Sequence, residues 1–116
     1  MTTLSISPNP WEIWLARVRF ADHPEVGKIR PVIMLDPGVY AFVVAKVTTK
    51  GDPARFDYYD LLDWDSEGLL KPSRVQIAPL FQLGASDLIN EKPLGKLSER
   101  DIDNLIRKLQ ASIATD

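Results

Sequence analysis

The chain has 116 residues, 45% hydrophobic and 26% charged. That is enough for one compact domain, too short for two, and too apolar for a disordered chain. The absence of cysteine excludes disulfides, thiol catalysis, iron–sulfur clusters and thiolate zinc, and one histidine, His23, excludes metal sites built on two or three imidazoles of one chain. A net charge of −2 excludes a polycation that coats nucleic acid, but residues 1–55 carry seven Lys/Arg against five acids and residues 56–116 seven against eleven.

Residues 1–10, rich in Ser, Thr and Pro, are expected to be a loose lead-in to a single domain spanning 1–116. They lack the pattern of a signal peptide, and no stretch reaches the roughly 18 apolar residues of a spanning helix, so no membrane role is expected and the cytoplasm is the expected location. In residues 14–20, Trp14, Ala16, Val18 and Phe20 alternate with Leu15, Arg17 and Arg19, which is the period of a strand with its even positions inward. Trp11 and Trp14 at its start are expected to close a core. Residues 21–29, with Pro24 and Gly27, read as an exposed loop.

The apolar runs 31–35 and 39–47, separated by Asp36-Pro37-Gly38, predict two strands joined by a hairpin. Their almost continuous hydrophobicity predicts cover on both faces, one by the core and the other by a partner chain. After a loop at 48–55, weaker strands are expected at 56–62 and 74–77, with Tyr58 and Tyr59 placed so that one of them can stack a base. Asp63, Asp65, Glu67 and Gly68 imitate the opening of a calcium loop, but the twelfth position is Arg74, and an acidic solvated turn is the expectation. Ile102, Leu105, Ile106, Leu109 and Ile113, preceded by Ser98 with Asp101 three residues on, predict an amphipathic helix over 99–114 with a capping box. The fold class is therefore mainly β with a C-terminal helix, in the form of a small barrel or strongly bent sheet.

One local arrangement points to chemistry. If the two hairpin strands are antiparallel neighbours, Arg30 and Thr48 stand at the same end of the pair. A guanidinium grips a phosphate with two parallel hydrogen bonds, and a threonine hydroxyl donates to the oxygen where charge accumulates. A surface Arg paired with a carboxylate, beside a Thr suited to a strand, satisfies the same spacing. Lys28, Lys46, Lys50 and Arg55 flank this end, and Arg17 and Arg19 face away from the inward side of the first strand, as a groove that tracks a single nucleic-acid strand requires. Ordinary solubility accounts for the same cations.

The ordered set Trp11-Glu12-Ile13-Trp14-Leu15-Ala16, Arg30-Pro31-Val32-Ile33-Met34-Leu35, Val47-Thr48-Thr49, Gly68-Leu69, Lys71-Pro72-Ser73 and Leu94-Gly95-Lys96-Leu97-Ser98 resembles the MazF/PemK family of toxins from type II toxin-antitoxin modules. The resemblance implies a small SH3-like barrel of the MazF/PemK/CcdB type and a homodimer. It also implies a metal-independent, cofactor-free endoribonuclease acting on single-stranded RNA and neutralised by an antitoxin protein with an acidic disordered tail. It places the main catalytic roles on Arg30 and Thr48 and makes His23 a possible proton carrier; by their placement, Thr49 and the cations Arg17, Arg19, Lys28, Lys46, Lys50 and Arg55 are expected at the RNA. The Arg and Asp that some members carry after the Pro-Ser pair are Gln76 and Ala78 here, with Arg74 two residues early. Two alternatives stand beside the enzyme: a degenerate member that binds RNA or a partner without cutting, and a gyrase inhibitor on the same fold.

Overall fold

The structure, a computed structural model, describes residues 7–20, 23–38 and 41–114, without the side chains of 19–20, 23–26 and 113–114. The alternation in the first strand places Trp14, Ala16 and Val18 inward as expected, and β1 runs over Glu12–Phe20. Where the composition of residues 21–29 predicts a loop, β2 (His23–Pro37) has already begun, and it pairs antiparallel with β1 through Arg19↔Gly27, Val18↔Lys28 and Arg17↔Ile29. Ladder hydrogen bonds come from the backbone, so a stretch poor in large apolar side chains still extends a hairpin once its partner strand is in place.

The Asp36-Pro37-Gly38 signal ends β2, and β3 (Phe42–Thr48) returns antiparallel to it. β4 (Tyr58–Asp60) and β5 (Arg74–Gln76) fall inside the two weaker predicted strands. β6 (Phe81–Leu83) and β7 (Gly95–Lys96) were not legible in the pattern, being three and two residues long. The sheet order is β4-β5-β3-β2-β1-β7, with β6 also on β3. α1 covers Glu99–Ala114, as its apolar spacing predicts.

Period-two alternation gives the bent sheet two apolar faces. On one, Ile13, Ile33, Ala45 and Val47 pack with Leu61, Leu69, Val75 and Leu105 of α1. On the other, Trp14, Ala16, Val18, Val32, Met34 and Val44 pack with Leu83 and Leu88. The second face, expected to need a partner chain, is thus covered in part by residues 81–88 of the same chain. Gly68 and Gly95 mark a close crossing: a Cβ on either would collide with backbone of the other segment, and Gly68 has φ +96°. Among the described residues, no helix is long and apolar enough to cross a membrane.

Candidate active site

The site begins with Pro31. β2 and β3 pair from Pro37↔Phe42 to Val32↔Lys46 and no further, while Pro31 stays opposite Leu15 of β1 and Val47 opposite Val75 of β5. Proline brings no N–H to a ladder, and the β2–β3 ladder stops where it stands. The strands part, and a cavity of about 320 Å³ opens between Ile29, Arg30 and Pro31 on one side and Val47 and Thr48 on the other, with Thr49, Lys50 and Ser73 completing its lining. The residue before a proline is confined to extended backbone, which holds Arg30 in the strand at the cavity wall.

Arg30 is half-buried, and its Nε is a buried donor with no hydrogen-bond partner. A buried donor left without an acceptor is costly, so an acceptor entering the cavity would gain a hydrogen bond there. Thr48 Oγ1 accepts the Lys50 N–H at 3.2 Å, which orients the side chain while its hydroxyl proton can donate into the cavity. Lys28, Arg30 and Lys46 share one face of the sheet by alternation and register. Burial, then the charges of Arg30 and Lys28, hold the Lys46 ammonium below its usual pKa. An entering anion relieves that repulsion.

The profile of the family described as "PemK-like, MazF-like toxin of type II toxin-antitoxin system" matches residues 9–113. The chain belongs to this family. No curated protein sequence matches it. Among solved structures, the Mycobacterium tuberculosis toxin MazF-mt6 superposes with a TM-score of 0.66 at 22% identity, over 90% of this chain and 98% of the other. An endoribonuclease in complex with its cognate antitoxin from a mycobacterial species gives 0.68 at 13% identity, over 94% and 97%. MazE-MazF from Deinococcus radiodurans gives 0.68 at 15%, over 95% and 98%. At these identities the structural matches carry the fold, a mostly β half-barrel with one C-terminal helix.

In this PemK/MazF toxin the wedge brings together Arg30, Thr48, Thr49 and Lys50, with Lys28 and Lys46 adding positive charge. Arg17 is exposed and lines a separate hollow with Phe81, Leu83 and Asp87. Arg55 lies over the Phe56 ring at 5.2 Å, in an exposed loop that does not line the wedge. The side chains of Arg19 and His23 lie outside the described residues. Gln76 is buried on β5 and Ala78 is exposed, so neither brings a titratable group to the cavity. Trp14 is buried and Trp11 packs against the core, as expected. Ser73 and Arg74 were missed as site residues. Ser73 was visible within Lys71-Pro72-Ser73, but only the β3–β5 pairing Thr48↔Arg74 shows what stands beside Thr48.

A second charged cluster lies at the start of α1. Glu67 and Asp101 are fully buried, and Asp63 is half-buried, which overturns the expected solvated turn. The capping box is also only half realised. The Asp101 N–H donates to Ser98 Oγ at 3.3 Å, but the Ser98 N–H donates to Glu67 Oε2 at 2.7 Å and not to Asp101. The Asp101 carboxylate instead accepts from the Tyr59 hydroxyl and from the N–H groups of Leu62 and Asp63, both at 3.0 Å. That bond and its packing against the core take Tyr59 out of base stacking.

Asp63 accepts Arg100 and Ser98, and those bonds lower its pKa to about 2. Burial, then a hydrogen bond shared with Asp101, raises the Glu67 carboxyl above the usual range. Asp101 is lowered: burial opposes ionisation, but the bonds from Glu67, Tyr59 and the two N–H groups outweigh it. Glu67 Oε1 finds no donor. The raised pKa favours a proton on Glu67, and a carboxyl O–H there would have the Asp101 carboxylate as its acceptor. The three carboxyl groups lie within 4.8 Å of one another, the spacing of a metal site. Every one of their oxygens except Glu67 Oε1 accepts from the chain's own donors, so the cluster reads as an anchor for α1.

Proposed function

We propose that this toxin is an endoribonuclease that cuts single-stranded RNA without a metal ion, by attack of the RNA's own 2′-hydroxyl on the adjacent phosphate. The observation that carries this reading is the buried Arg30 Nε–H, a donor without an acceptor, facing Thr48 across a cationic cavity. The 2′-oxygen bonds to phosphorus and the bond to the 5′-oxygen breaks. The 2′-proton goes to a base, and a proton is delivered to the leaving oxygen. The products are a 2′,3′-cyclic phosphate and a 5′-hydroxyl. Arg30 holds the charge that builds on the phosphoryl oxygens with paired bonds, and the Thr48 hydroxyl donates to the same centre. Histidine is the residue type that exchanges a proton near neutrality, and His23, the one histidine of the sequence, fits the role of proton carrier by type. Thr49, Lys28, Lys46 and Lys50 contact the RNA backbone.

The same positive cavity suits an acidic antitoxin segment, in keeping with the antitoxin named in one of the matching structures and the MazE named in another. A homodimer accords with Leu70 and Leu62, which are 94% and 50% exposed. Light scattering at micromolar concentration should give twice the monomer mass, and a monomer counts against it. A second reading, a member that binds RNA without cutting, is favoured by Gln76 and Ala78, which carry no titratable group for acid–base work. The test is a time course on a long single-stranded RNA in excess chelator. Fragments ending in cyclic phosphate support the enzyme, binding without fragments supports the second reading, and cleavage that needs added magnesium overturns the metal-free mechanism.

A further inference from the structure

Arg74 stands directly opposite Thr48 on β5 and opposite Asp60 on β4. Thr48 is therefore flanked by two arginines, Arg30 across the wedge and Arg74 on the neighbouring strand, about 10 Å apart by strand spacing. Two contacts, one of them to a ring that is itself held, fix the Arg74 side chain at its site. Nε donates to Asp60 Oδ1 at 2.9 Å, the guanidinium lies 5.3 Å from the Tyr58 ring centroid, and Tyr58 is itself fixed by the Asp52 N–H. The ion pair uses Nε, so both terminal nitrogens keep donors for another acceptor. An exposed pair of this kind contributes little to stability, and Asp60 has a side chain 71% exposed.

Arg74 and Asp60 line a hollow of about 270 Å³ with Thr49, Leu61, Pro72 and Ser73. Thr49 and Ser73 also line the Arg30 wedge, so the two hollows adjoin across these residues. A single strand with one phosphate between Arg30 and Thr48 has a path past Thr49 and Ser73 toward this second hollow.

We propose that Arg74 grips the phosphate next to the one that is cut, holding the RNA in register with Arg30 and Thr48. This rests on the RNA-cleaving reading and assigns Arg74 a positioning role. A backbone contact carries no sequence information, so it acts alike on unrelated RNAs. The experiment measures binding of two unrelated single-stranded RNA oligonucleotides, 2′-O-methylated at every position and therefore without the attacking hydroxyl, as a function of salt, together with cleavage of the unmodified RNAs at saturation. Arg74→Ala should weaken binding about tenfold for both sequences, flatten the log Kd against log salt slope by about 0.7 and slow cleavage at saturating RNA, because the register is lost. Arg74→Lys should keep the slope. Asp60→Asn should tighten binding, because it removes the negative charge that competes with the phosphate, whereas a purely structural ion pair predicts no tightening. An unchanged slope in a folded Arg74→Ala overturns the proposal. Failure of the wild type to cleave while it still binds overturns the enzymatic reading and leaves the Arg74 contact measurable.

Discussion

The two charged clusters of this toxin use similar side chains to opposite ends. At the start of α1, Asp63, Glu67 and Asp101 meet Ser98, Tyr59, Arg100 and two backbone N–H groups, and the one carboxyl oxygen left without a donor belongs to Glu67, whose raised pKa favours the protonated form. At the β2–β3 wedge, Arg30 keeps a buried donor without an acceptor, and Lys46 is crowded by cations. Closed polar networks stabilise a fold, whereas a binding site must leave groups unpaired until its ligand arrives. The difference distinguishes the anchor from the site although both are rich in charge.

The largest expected effect is at the open cluster. Arg30→Ala and Thr48→Ala should each lower RNA cleavage by about two to three orders of magnitude with the circular dichroism spectrum unchanged. Arg30→Lys should not restore full activity, since an ammonium lacks the paired geometry. Full activity in either alanine variant removes the wedge as the active site.

Next comes the frame that brings the closed cluster together. Gly95→Ala sets a methyl against the backbone of Glu67 and should lower the unfolding free energy in urea by about 3 kcal/mol. A midpoint equal to wild type shows that the crossing relaxes.

Within the closed cluster, pH is the probe. Glu67 has a folded pKa above its ordinary 4.5, so the folded protein holds more protons than the unfolded chain above that pH. Its stabilisation is present below pH 4.5 and is lost as pH rises through the raised folded value. Asp63 has the opposite sign: its stabilisation is present above pH 3.8 and is lost as pH falls through about 2. Glu67→Gln keeps an oxygen for the Ser98 N–H and supplies an N–H for Asp101. The variant should therefore gain in melting temperature relative to wild type as pH rises from 5 to 8. Parallel melting curves for the two proteins across that range contradict a shared proton. The smallest effect is expected at Arg17, in its separate hollow: Arg17→Ala should change cleavage less than twofold and stability by under about 0.5 kcal/mol. A larger loss of cleavage extends the RNA path to that hollow.

Local pattern carried much of this toxin. The spacing of Ile102, Leu105 and Leu109 is enough to place α1 at residues 99–114, because helix formation and its buried stripe depend on neighbours three and four residues away. Trp14, Ala16 and Val18 likewise declare a strand, and a hairpin between two apolar runs brings Arg30 and Thr48 to one end. The remainder depends on partners distant in the chain. Residues 23–29 become β2 because β1 supplies a ladder, and β6 and β7 are too short to show a period. Glu67 is buried because α1, thirty residues on, brings Ser98 and Asp101 to it. Arg74, two residues off the family position, reaches the site through the register of β5 on β3. A one-residue slip turns every side chain of a strand to the other face, and that register is set by packing across the whole sheet.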